Sequence, residues 1–260
     1  MIKIVSGWSD PGGSTIANIN LCNAFNNNGI DCMFYGPHTY HLNKCRGDLF
    51  NNIKHEDGDM VIVHFINVTY KMPCKKLIFS SHEQNMYPIK NINYKQYDAI
   101  HFVSKSQYYY HKITDVPTYI IPNIVDNIKP KLLKSGRIAG VIGSIDANKN
   151  VHISIKKALD NGCDKVYIYG AITDTTYYNQ YVMPLIDGLK VVYKGFCDNK
   201  QAMYDSLTDV FQDSKMESWG YISRECKLAG VKYHGNGVVC HDDITSTDSI
   251  IKSWKEILEI

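Results

Sequence analysis

The sequence lacks the features that mark several large classes of protein. None of its apolar runs approaches the roughly 18 uncharged residues of a membrane-spanning helix. Its eight cysteines include no C-x-x-C pair, which argues against a zinc site or a disulfide framework and is typical of reduced thiols. The first residues predict a strand and a glycine turn instead of a secretory signal peptide. These absences together predict a cytoplasmic protein without a transmembrane segment.

The composition is also free of a strong charge excess. The formal net charge is +2, which neither favours nor excludes nucleic acid as a partner. The hydrophobic share of 44% is that of a folded globular protein. The chain is rich in Asn, Ile, Lys and Tyr, a bias that an AT-rich genome produces. We therefore expect the protein to act in the cytoplasm of a bacterium or of a virus-infected host cell.

Short apolar runs alternate with longer helical patterns, which predicts βαβ units and parallel sheets. The stretch 122–136 carries prolines and lysines with little periodicity, and it indicates a linker between two such series. We predict an α/β protein of two Rossmann-like domains, 1–130 and 131–260, that face a cleft. The second domain is expected to end in a closing helix from about Ser246, whose apolar stripe serves packing. Ligands of such sheets bind at the carboxyl ends of the strands.

The apolar runs also locate the individual elements. They predict strands in the first series near 2–5, 32–35, 60–64, 77–80, 99–103 and 118–121. A helix is predicted from Ser14 or Thr15 to about Asn27, where Asn-Asn-Gly is a stop signal. The second series predicts strands at 138–142, 166–169, 189–193 and 210–211, with helices from about 151 and near 200–206.

Two glutamates, Glu217 and Glu225, flank the most informative segment, E-S-W-G-Y-I-S-R-E. A strand pattern precedes it and a helical stretch follows, so the segment predicts a strand, a loop and the start of a helix. Backbone N–H groups at a helix start bind anions, so carboxylates here are suited to hold sugar hydroxyls beside a bound phosphate. The alternative is a chance spacing, with Glu225 as a solvated helix residue.

A glycine-rich turn that includes Gly12 and Gly13 follows the first strand. Such a loop lets a ligand approach the backbone, and the helix start behind it favours negative charge. It matches neither the dinucleotide G-x-G-x-x-G pattern nor the Walker G-x-x-x-x-G-K-[ST] pattern, which weakens a nicotinamide or ATP interpretation. A plain tight turn with Ser14 as the helix cap is the alternative.

Three further residues lie at predicted strand ends. His82 stands next to Glu83 just after a strand and is expected to contact a ligand, while His64 is a weaker candidate. Lys149 lies between a strand and a helix, where a cation would neutralise a diphosphate leaving group. The alternatives are incidental histidines and a solvated loop lysine.

Taken in order along most of the chain, these residues resemble the retaining GT-B glycosyltransferases of family 4. Pro11-Gly12-Gly13 resembles the early glycine loop of that family. The segment from Glu217 to Glu225 matches its E-x7-E motif in spacing and in Gly220. Further matching stretches are 99–107, 121–126 (compare I-P-N-G-V-D), 143–149 (compare G-R-L-x-x-x-K), and the later strands around 166–170 and 192–195.

The resemblance implies a nucleotide-diphosphate sugar as donor substrate, a UDP-sugar being favoured, and neither a cofactor nor a metal is required. It implies that Glu217 holds the donor sugar, Glu225 binds the nucleotide ribose and His82 faces the sugar from the first domain. His82 and Glu217 are accordingly the candidate catalytic residues. The other donor-binding residues that it implies are Gly12, Gly13, Lys149, Ser218, Trp219 and Gly220. Transfer would occur on the front face, with the leaving phosphate helping to deprotonate the acceptor.

The chain departs from the family pattern at three points. Ser144 stands where the family has an arginine of the diphosphate site, and Arg137 and Arg224 are the candidate replacements. Asn123-Ile124 stands in place of Asn-Gly. After Gly230 the family's Val-Pro run is missing, and the chain is shorter than typical members.

The acceptor predicted by the resemblance is a glycan or glycoconjugate. One alternative is a phage DNA glucosyltransferase acting on hydroxymethylated or already glucosylated cytosine, which the size and composition permit. Another is a non-catalytic nucleotide-sugar-binding protein, an interpretation that the missing arginine favours. The sequence carries no indication of an oligomeric state.

Overall fold

The computed structural model describes residues 1–54, 56–69, 72–83, 92–113, 115–130, 136–237 and 244–260. Contacts between residues group the chain into two compact units, Met1–Ile124 with Asp242–Ile260, and Val125–His241. The change from the first unit to the second falls within the predicted linker, 122–136. Residues 131–135 of that linker lie outside the described part of the chain.

A parallel sheet forms the first unit. Its strands are β1 (Ile2–Ser6), β2 (Cys32–Gly36), β3 (Gly47–Leu49), β4 (Met60–His64), β5 (Lys76–Ser81), β6 (Ala99–Phe102) and β7 (Thr118–Ile120). Its helices are α1 (Gly13–Asn27), α2 (Lys105–His111) and α7 (Thr247–Leu258), with 3₁₀ turns at Thr39–His41, Phe50–Asn52 and Tyr94–Gln96. The described strands pair in the order β3-β2-β1-β4-β5-β6-β7, so the chain changes direction across the sheet between β1 and β4. Ligand sites of such sheets lie at the carboxyl ends near this reversal.

The inner strands β1, β4 and β5 are buried on both faces, which is why their sequences are nearly continuous apolar runs. Helices α1 and α7 pack together on the sheet, and the rings of Phe25 and Trp254 meet edge to face with centroids 6.2 Å apart. The predicted stripe of α7 is buried along its whole length, with Trp254 only 2% exposed. Each such side chain stabilises the fold by about 1.5–3 kcal/mol.

Helix α7 belongs to the first unit by its contacts, whereas the sequence placed it with the second domain. Its core partners include Ile2, Phe25 and Ile62, which come from the other end of the chain. The physical reason is that an apolar stripe requires burial without specifying which sheet provides it. The predicted start is close to the observed one, because Ser246 is the N-cap and its side chain accepts a hydrogen bond from the N–H of Ser249.

The second unit is a smaller parallel sheet. Its strands are β8 (Ile138–Ile142), β9 (Lys165–Tyr169), β10 (Val191–Gly195), β11 (Asp209–Gln212) and β12 (Lys232–Gly235), and the order is β10-β9-β8-β11-β12. Its helices are α3 (Val151–Asp160), α4 (Thr175–Tyr177), α5 (Lys200–Asp205) and α6 (Tyr221–Ala229). A π-helical turn at Tyr178–Val182 and a 3₁₀ turn at Met183–Leu185 follow α4. Strand order again reverses next to β8, which lies between β9 and β11.

Two parallel sheets with helices confirm the predicted α/β class. Each predicted strand corresponds to an observed one, most of them within two residues at either end. The sequence did not predict β3 or β12, and both lie at a sheet edge. An edge strand pairs on one side only, so Gly47–Leu49 and Lys232–Gly235 need no apolar run of the kind that marks a central strand.

Candidate functional site

Two glycines shape the carboxyl end of the second sheet. Gly143 follows β8 with φ 134° and Gly170 follows β9 with φ 149°, a region of backbone conformation open mainly to glycine. A Cβ atom on Gly170 would lie 1.8 Å from the carbonyl oxygen of Gly143. The two strand ends can therefore approach each other only because position 170 has no side chain. This approach fixes the start of the loop that carries Lys149.

Lys149 forms an ion pair with Glu217. The Nζ atom of Lys149 lies 2.5 Å from Oε1 of Glu217, and Nε2 of Gln212 donates to the same oxygen at 2.6 Å. Gln212 is held in turn by Tyr233, whose hydroxyl donates to its Oε1 at 2.9 Å. Both charged side chains are mostly buried, with exposures of 23% and 11%. The structure thus brings together a cation and a carboxylate at the carboxyl ends of β8 and β11, and Lys149 is not a freely solvated loop lysine.

The loop before Lys149 is organised by Asp146. Its Oδ1 accepts hydrogen bonds from the backbone N–H groups of Asn148 and Lys149, both at 2.9 Å. Ser144 donates through its hydroxyl to Oδ2 of Asp146 at 2.5 Å. Such a turn orients the backbone at Lys149. Ser144, at the position where the resembled family has an arginine, therefore helps to build the loop.

Neither candidate arginine lies beside this loop as a replacement. Arg137 precedes β8, at the amino end of the sheet, where it pairs with Asp209 at 3.0 Å. Arg224 is buried at 3% exposure and its guanidinium stacks 4.1 Å from the ring centroid of Trp219. It also donates to the carbonyl oxygens of Trp219 and Gly220. Arg224 thus supports the loop before α6 from the inside.

The loop that follows Glu217 ends at the start of α6. Gly220 is the N-cap with φ 80°, and no side chain caps the helix. The first backbone N–H groups of α6 therefore need acceptors from outside the helix. The side chain of Trp219 is 3% exposed and packs inside, so only its backbone and the neighbouring Ser218 and Gly220 remain suited to the predicted ligand contact.

Glu225 lies one turn into α6 and is 3% exposed, which rules out the solvated-helix interpretation. Its Oε1 accepts from Nζ of Lys200 at 2.6 Å, and its Oε2 accepts from the hydroxyl of Tyr204 at 2.7 Å. Lys200 also contacts Oδ2 of Asp126 at 2.5 Å. Burial lowers the pKa of Lys200, but the two carboxylates outweigh it and raise the pKa overall.

Sequence reasoning missed Lys200, Tyr204 and Asp126 as parts of this cluster. A weak signal was available, because Lys200 begins the helix predicted near 200–206, shortly after the predicted strand 189–193. Asp126 closes the segment 121–126 that was noted for its resemblance alone. Burial and Glu225 together raise the pKa of Tyr204 well above its ordinary value, so its hydroxyl remains a donor to Glu225.

Histidines cluster at the carboxyl ends of adjacent strands in the first sheet. His64 ends β4, His82 follows β5 and His101 lies on β6. The rings of His64 and His82 are 4.8 Å apart, and those of His82 and His101 are 6.2 Å apart. Nε2 of His64 lies 3.0 Å from Oε1 of Glu83, and its Nδ1 lies 2.8 Å from the hydroxyl of Ser6. The two histidines named from the sequence thus belong to one cluster, and His101 was missed.

Burial, followed by the charges of His64 and His101, lowers the pKa of His82 well below its ordinary value. Burial raises the pKa of Glu83, but His64 and the backbone hydrogen bonds at His82 and Glu83 together outweigh this effect, and the pKa is lowered overall. His82 is consequently a neutral imidazole at neutral pH, able both to donate and to accept a hydrogen bond.

Gly12 and Gly13 lie where the glycine loop meets the first helix. Gly12 is the N-cap of α1 in an extended conformation and Gly13 is the first helical residue. No side chain caps this helix, so the proposed cap at Ser14 is not observed. The start of α1 therefore presents backbone N–H groups that suit an anionic ligand.

No helix in the described ranges is both long enough and apolar enough to cross a membrane. Within the same part of the chain, no group of three or more His, Cys, Asp or Glu side chains is arranged to hold a metal ion. The sequence does contain an Asp-x-Asp triplet, Asp57-Gly58-Asp59. Asp59 is buried in an ion pair with Lys3 at the amino end of the first sheet. That pairing identifies it as part of the core.

Comparison of the sequence alone gives no assignment, since no protein-family model and no curated protein matches it. The three-dimensional structure does match solved structures. HepE of Anabaena, in complex with UDP and glucose, superposes with a TM-score of 0.68 at 12% identity, over 92% of this chain and 81% of HepE. This chain has the GT-B fold. The prediction of that fold from the ordered motifs is confirmed.

Two other glycosyltransferase structures support the same conclusion. A glycosyltransferase from Rickettsia africae matches with a TM-score of 0.68 and 12% identity over 100% of this chain and 88% of its own. WaaG, a glycosyltransferase involved in lipopolysaccharide biosynthesis, matches with a TM-score of 0.66 and 9% identity over 100% and 91%. HepE has also been solved with UDP-glucose, at a TM-score of 0.65 and 11% identity over 99% and 90%. At these identities the likeness establishes the fold.

Proposed function

We propose that this protein is a glycosyltransferase, a hexosyltransferase that uses a nucleotide-diphosphate sugar as donor, a UDP-sugar being favoured. The observation that carries the proposal is the Lys149–Glu217 pair at the carboxyl end of the second sheet, beside the uncapped start of α6. A structural neighbour with the same fold binds UDP and UDP-glucose, which supports this choice of donor.

In this proposal Lys149 neutralises the diphosphate, as a leaving group that gains negative charge requires. Glu217 accepts hydrogen bonds from hydroxyls of the donor sugar, helped by the backbone of Ser218 to Gly220. Glu225 binds the ribose, and its ion pair with Lys200 holds the carboxylate in position for that role. Gly12 and Gly13 offer backbone N–H groups to phosphate oxygens, and His82 contacts a sugar hydroxyl.

The proposed reaction follows the retaining course of the resembled family. The bond between the anomeric carbon and the diphosphate oxygen breaks, and a bond to the acceptor oxygen forms on the same face. The proton of the acceptor hydroxyl passes to the leaving phosphate, which becomes more basic as the bond to it breaks. The protein's own contribution is to place and stabilise these groups, chiefly through Lys149 and the helix start at Gly220.

The proposed acceptor is a hydroxyl of a glycan or glycoconjugate. Support comes from the neighbours WaaG and WaaB, which are described respectively as involved in lipopolysaccharide biosynthesis and as a lipopolysaccharide outer core galactosyltransferase. An acceptor screen that includes hydroxymethylated and glucosylated DNA would decide between this and the DNA alternative. Transfer to DNA alone would contradict the glycan proposal.

The donor proposal is tested by calorimetric titration of UDP, GDP, ADP and their sugars into the wild-type protein and two variants. Glu217→Gln is expected to weaken binding of the sugar nucleotide about tenfold to a hundredfold, since a hydrogen bond to a charged group is lost. Asp213→Asn is the matched control, because Asp213 also follows β11 but pairs with the exposed Lys157. Equal losses in both variants, or no binding of any nucleotide by the folded wild type, would refute the assigned site.

Turnover separates an enzyme from a non-catalytic binding protein. Release of UDP from UDP-glucose, in the presence of a glycan acceptor, is the expected result for the wild type. The anomeric configuration of the product, read from its proton coupling constants, tests retention directly. Tight donor binding without any product across the acceptor screen would favour the binding-protein alternative.

A further inference from the structure

Gln212 is a polar residue in a buried strand of the second unit. It ends β11 and is only 5% exposed. Its Nε2 donates to Oε1 of Glu217 at 2.6 Å and to the hydroxyl oxygen of Ser214 at 3.1 Å. A carboxylate oxygen has no proton to donate, so the amide nitrogen must be the atom that faces Glu217. The amide oxygen of Gln212 consequently faces away from Glu217 and needs a donor of its own.

Tyr233 on β12 supplies that donor. Its hydroxyl lies 2.9 Å from Oε1 of Gln212. Burial, followed by the charge of Glu217, raises the pKa of Tyr233, so the hydroxyl keeps its proton and donates it. With a donor on its oxygen and an acceptor for each of its two N–H groups, the amide of Gln212 is satisfied in one orientation only.

The reach of Tyr233 depends on Gly235. In the register of β11 and β12, Gln212 lies beside Gly235, two residues beyond Tyr233. A Cβ atom on Gly235 would lie 2.6 Å from the hydroxyl oxygen of Tyr233. The ring therefore lies over a position without a side chain, and its hydroxyl reaches Gln212 diagonally across the two strands. This segment follows Gly230, where the Val-Pro run of the resembled family is missing.

The same network gives the two oxygens of Glu217 different surroundings. Oε1 accepts from Gln212 at 2.6 Å and from Nζ of Lys149 at 2.5 Å, which occupies both of its lone pairs. Oε2 receives no hydrogen bond from the residues that the structure describes, and it is not one of the fully buried side-chain atoms that lack a partner. The Glu217 side chain as a whole is 11% exposed. Oε2 is therefore the oxygen that a ligand hydroxyl can reach.

We propose that Gln212 and Tyr233 are positioning residues that hold Glu217 with Oε1 on Lys149 and Oε2 turned toward the donor sugar. Without the bond from Gln212, the carboxylate can turn about its terminal torsion and pair both oxygens with the ammonium group of Lys149. Sugar hydroxyls would then compete with that cation for the same oxygens. The contact with the sugar rests on the proposed function, while the orientation of the Gln212 amide does not.

Tyr233→Phe removes only the hydroxyl that fixes Gln212, and calorimetric titration of UDP and UDP-glucose measures the result. The affinity for UDP-glucose should fall about threefold to tenfold, and that for UDP should not change because UDP carries no sugar. Tyr169→Phe is the matched control, since it removes a tyrosine hydroxyl from β9 that pairs with Ser206 at 3.1 Å. It should leave both affinities unchanged. Equal weakening of both ligands in Tyr233→Phe would refute a positioning role.

A double-mutant cycle tests whether Tyr233 acts through Glu217. In a Glu217→Gln background, Tyr233→Phe should cause no further loss of affinity for UDP-glucose. Gly235→Ala displaces the ring but keeps the hydroxyl group, so it should reproduce the loss seen in Tyr233→Phe, and it replaces that variant if the latter fails to fold. Fully additive losses from Tyr233→Phe and Glu217→Gln would overturn the inference.

Nitrogen-15 NMR of the Gln212 side-chain amide tests the network without a ligand, with Gln212→Met to assign the signal. Both amide protons should exchange slowly with water in the wild type, because each is bonded within the protein, and faster in Tyr233→Phe. Unchanged protection in that variant would refute the anchoring of Gln212. If the wild type binds neither UDP nor UDP-glucose, the proposed function and the sugar contact fail, whereas slow exchange that depends on Tyr233 still confirms the anchored amide.

Discussion

Lys200 and Glu225 form a 2.6 Å ion pair in which the carboxylate is buried, and Tyr204 donates to the second oxygen of the same carboxylate. Lys200 simultaneously binds Asp126 at 2.5 Å, so one ammonium group joins α5, α6 and the segment that begins the second unit. A buried carboxylate with all its neighbours in place is stable, but one that loses its cation is not.

Replacing Lys200 by methionine should therefore destabilise the second unit by about 1–3 kcal/mol, since the carboxylate of Glu225 is left with Tyr204 alone. Urea denaturation followed by fluorescence of Trp219 would measure the change. Lys157→Met is the control, because its pair with Asp213 involves a lysine that is 52% exposed, and it should shift stability by less than about 1 kcal/mol. Recovery of stability in the double variant Lys200→Met, Glu225→Gln would identify the unpaired charge as the cause.

Lys149→Met should weaken binding of UDP about tenfold to a hundredfold, because a charge-assisted contact with the diphosphate is removed. Titration calorimetry at two salt concentrations is the measurement, and the variant should also show a smaller loss of affinity at high salt. Lys149→Arg keeps the charge and should recover part of the affinity. Unchanged affinity in the methionine variant would place the diphosphate elsewhere.

Gly170→Ala should cost more than about 2 kcal/mol of folding free energy, since its Cβ would meet the carbonyl oxygen of Gly143 in a backbone conformation that alanine avoids. Gly162→Ala is the matched control: its φ is also positive at 74°, but nothing lies within 4 Å of the added atom, and a cost of about 1 kcal/mol is expected. Thermal unfolding of the two variants compares them. Equal costs would show that the close approach of the two strand ends contributes nothing.

The stability of the first unit should fall as the pH decreases below about 6.5. Burial lowers the folded-state pKa of His82, with His64 and His101 adding to the effect, and burial lowers that of His101 to about 4. The unfolded chain takes up protons on both residues in this range and the folded chain does not. The loss is about 1.4 kcal/mol per pH unit for each histidine.

Denaturation with urea in a Trp219→Phe background, which leaves Trp8 and Trp254 as reporters, would measure this slope. His82→Gln should reduce this slope by the contribution of one titrating histidine, about 1.4 kcal/mol per pH unit. Glu83 acts in addition at lower pH: its folded pKa is lowered, so its contribution is present above the unfolded value of about 4.3 and is lost as the pH falls through the folded value. A stability that is flat between about pH 7 and pH 5 would contradict neutral histidines in the folded state.

Much of the fold follows from local sequence. Runs such as Ile138–Ile142 are apolar because central parallel strands are buried on both faces. Such strands can therefore be recognised from their residue types alone. The candidate residues Lys149, Glu217 and His82 were identifiable for a related reason: each follows such a run, and parallel strands place their following loops at one edge.

Relationships between distant segments required the tertiary structure. The sequence determined that α7 has an apolar face, but only the fold assigned that face to the first sheet. The sequence placed Glu225 in a predicted helix, but it did not indicate that Lys200 and Tyr204 donate hydrogen bonds to its carboxylate. The hydrogen bond between Ser80 and His101 depends on the register of two strands about twenty residues apart. Periodicity along a chain specifies which residues must be buried, whereas the partners they meet are specified only when separate elements pack together.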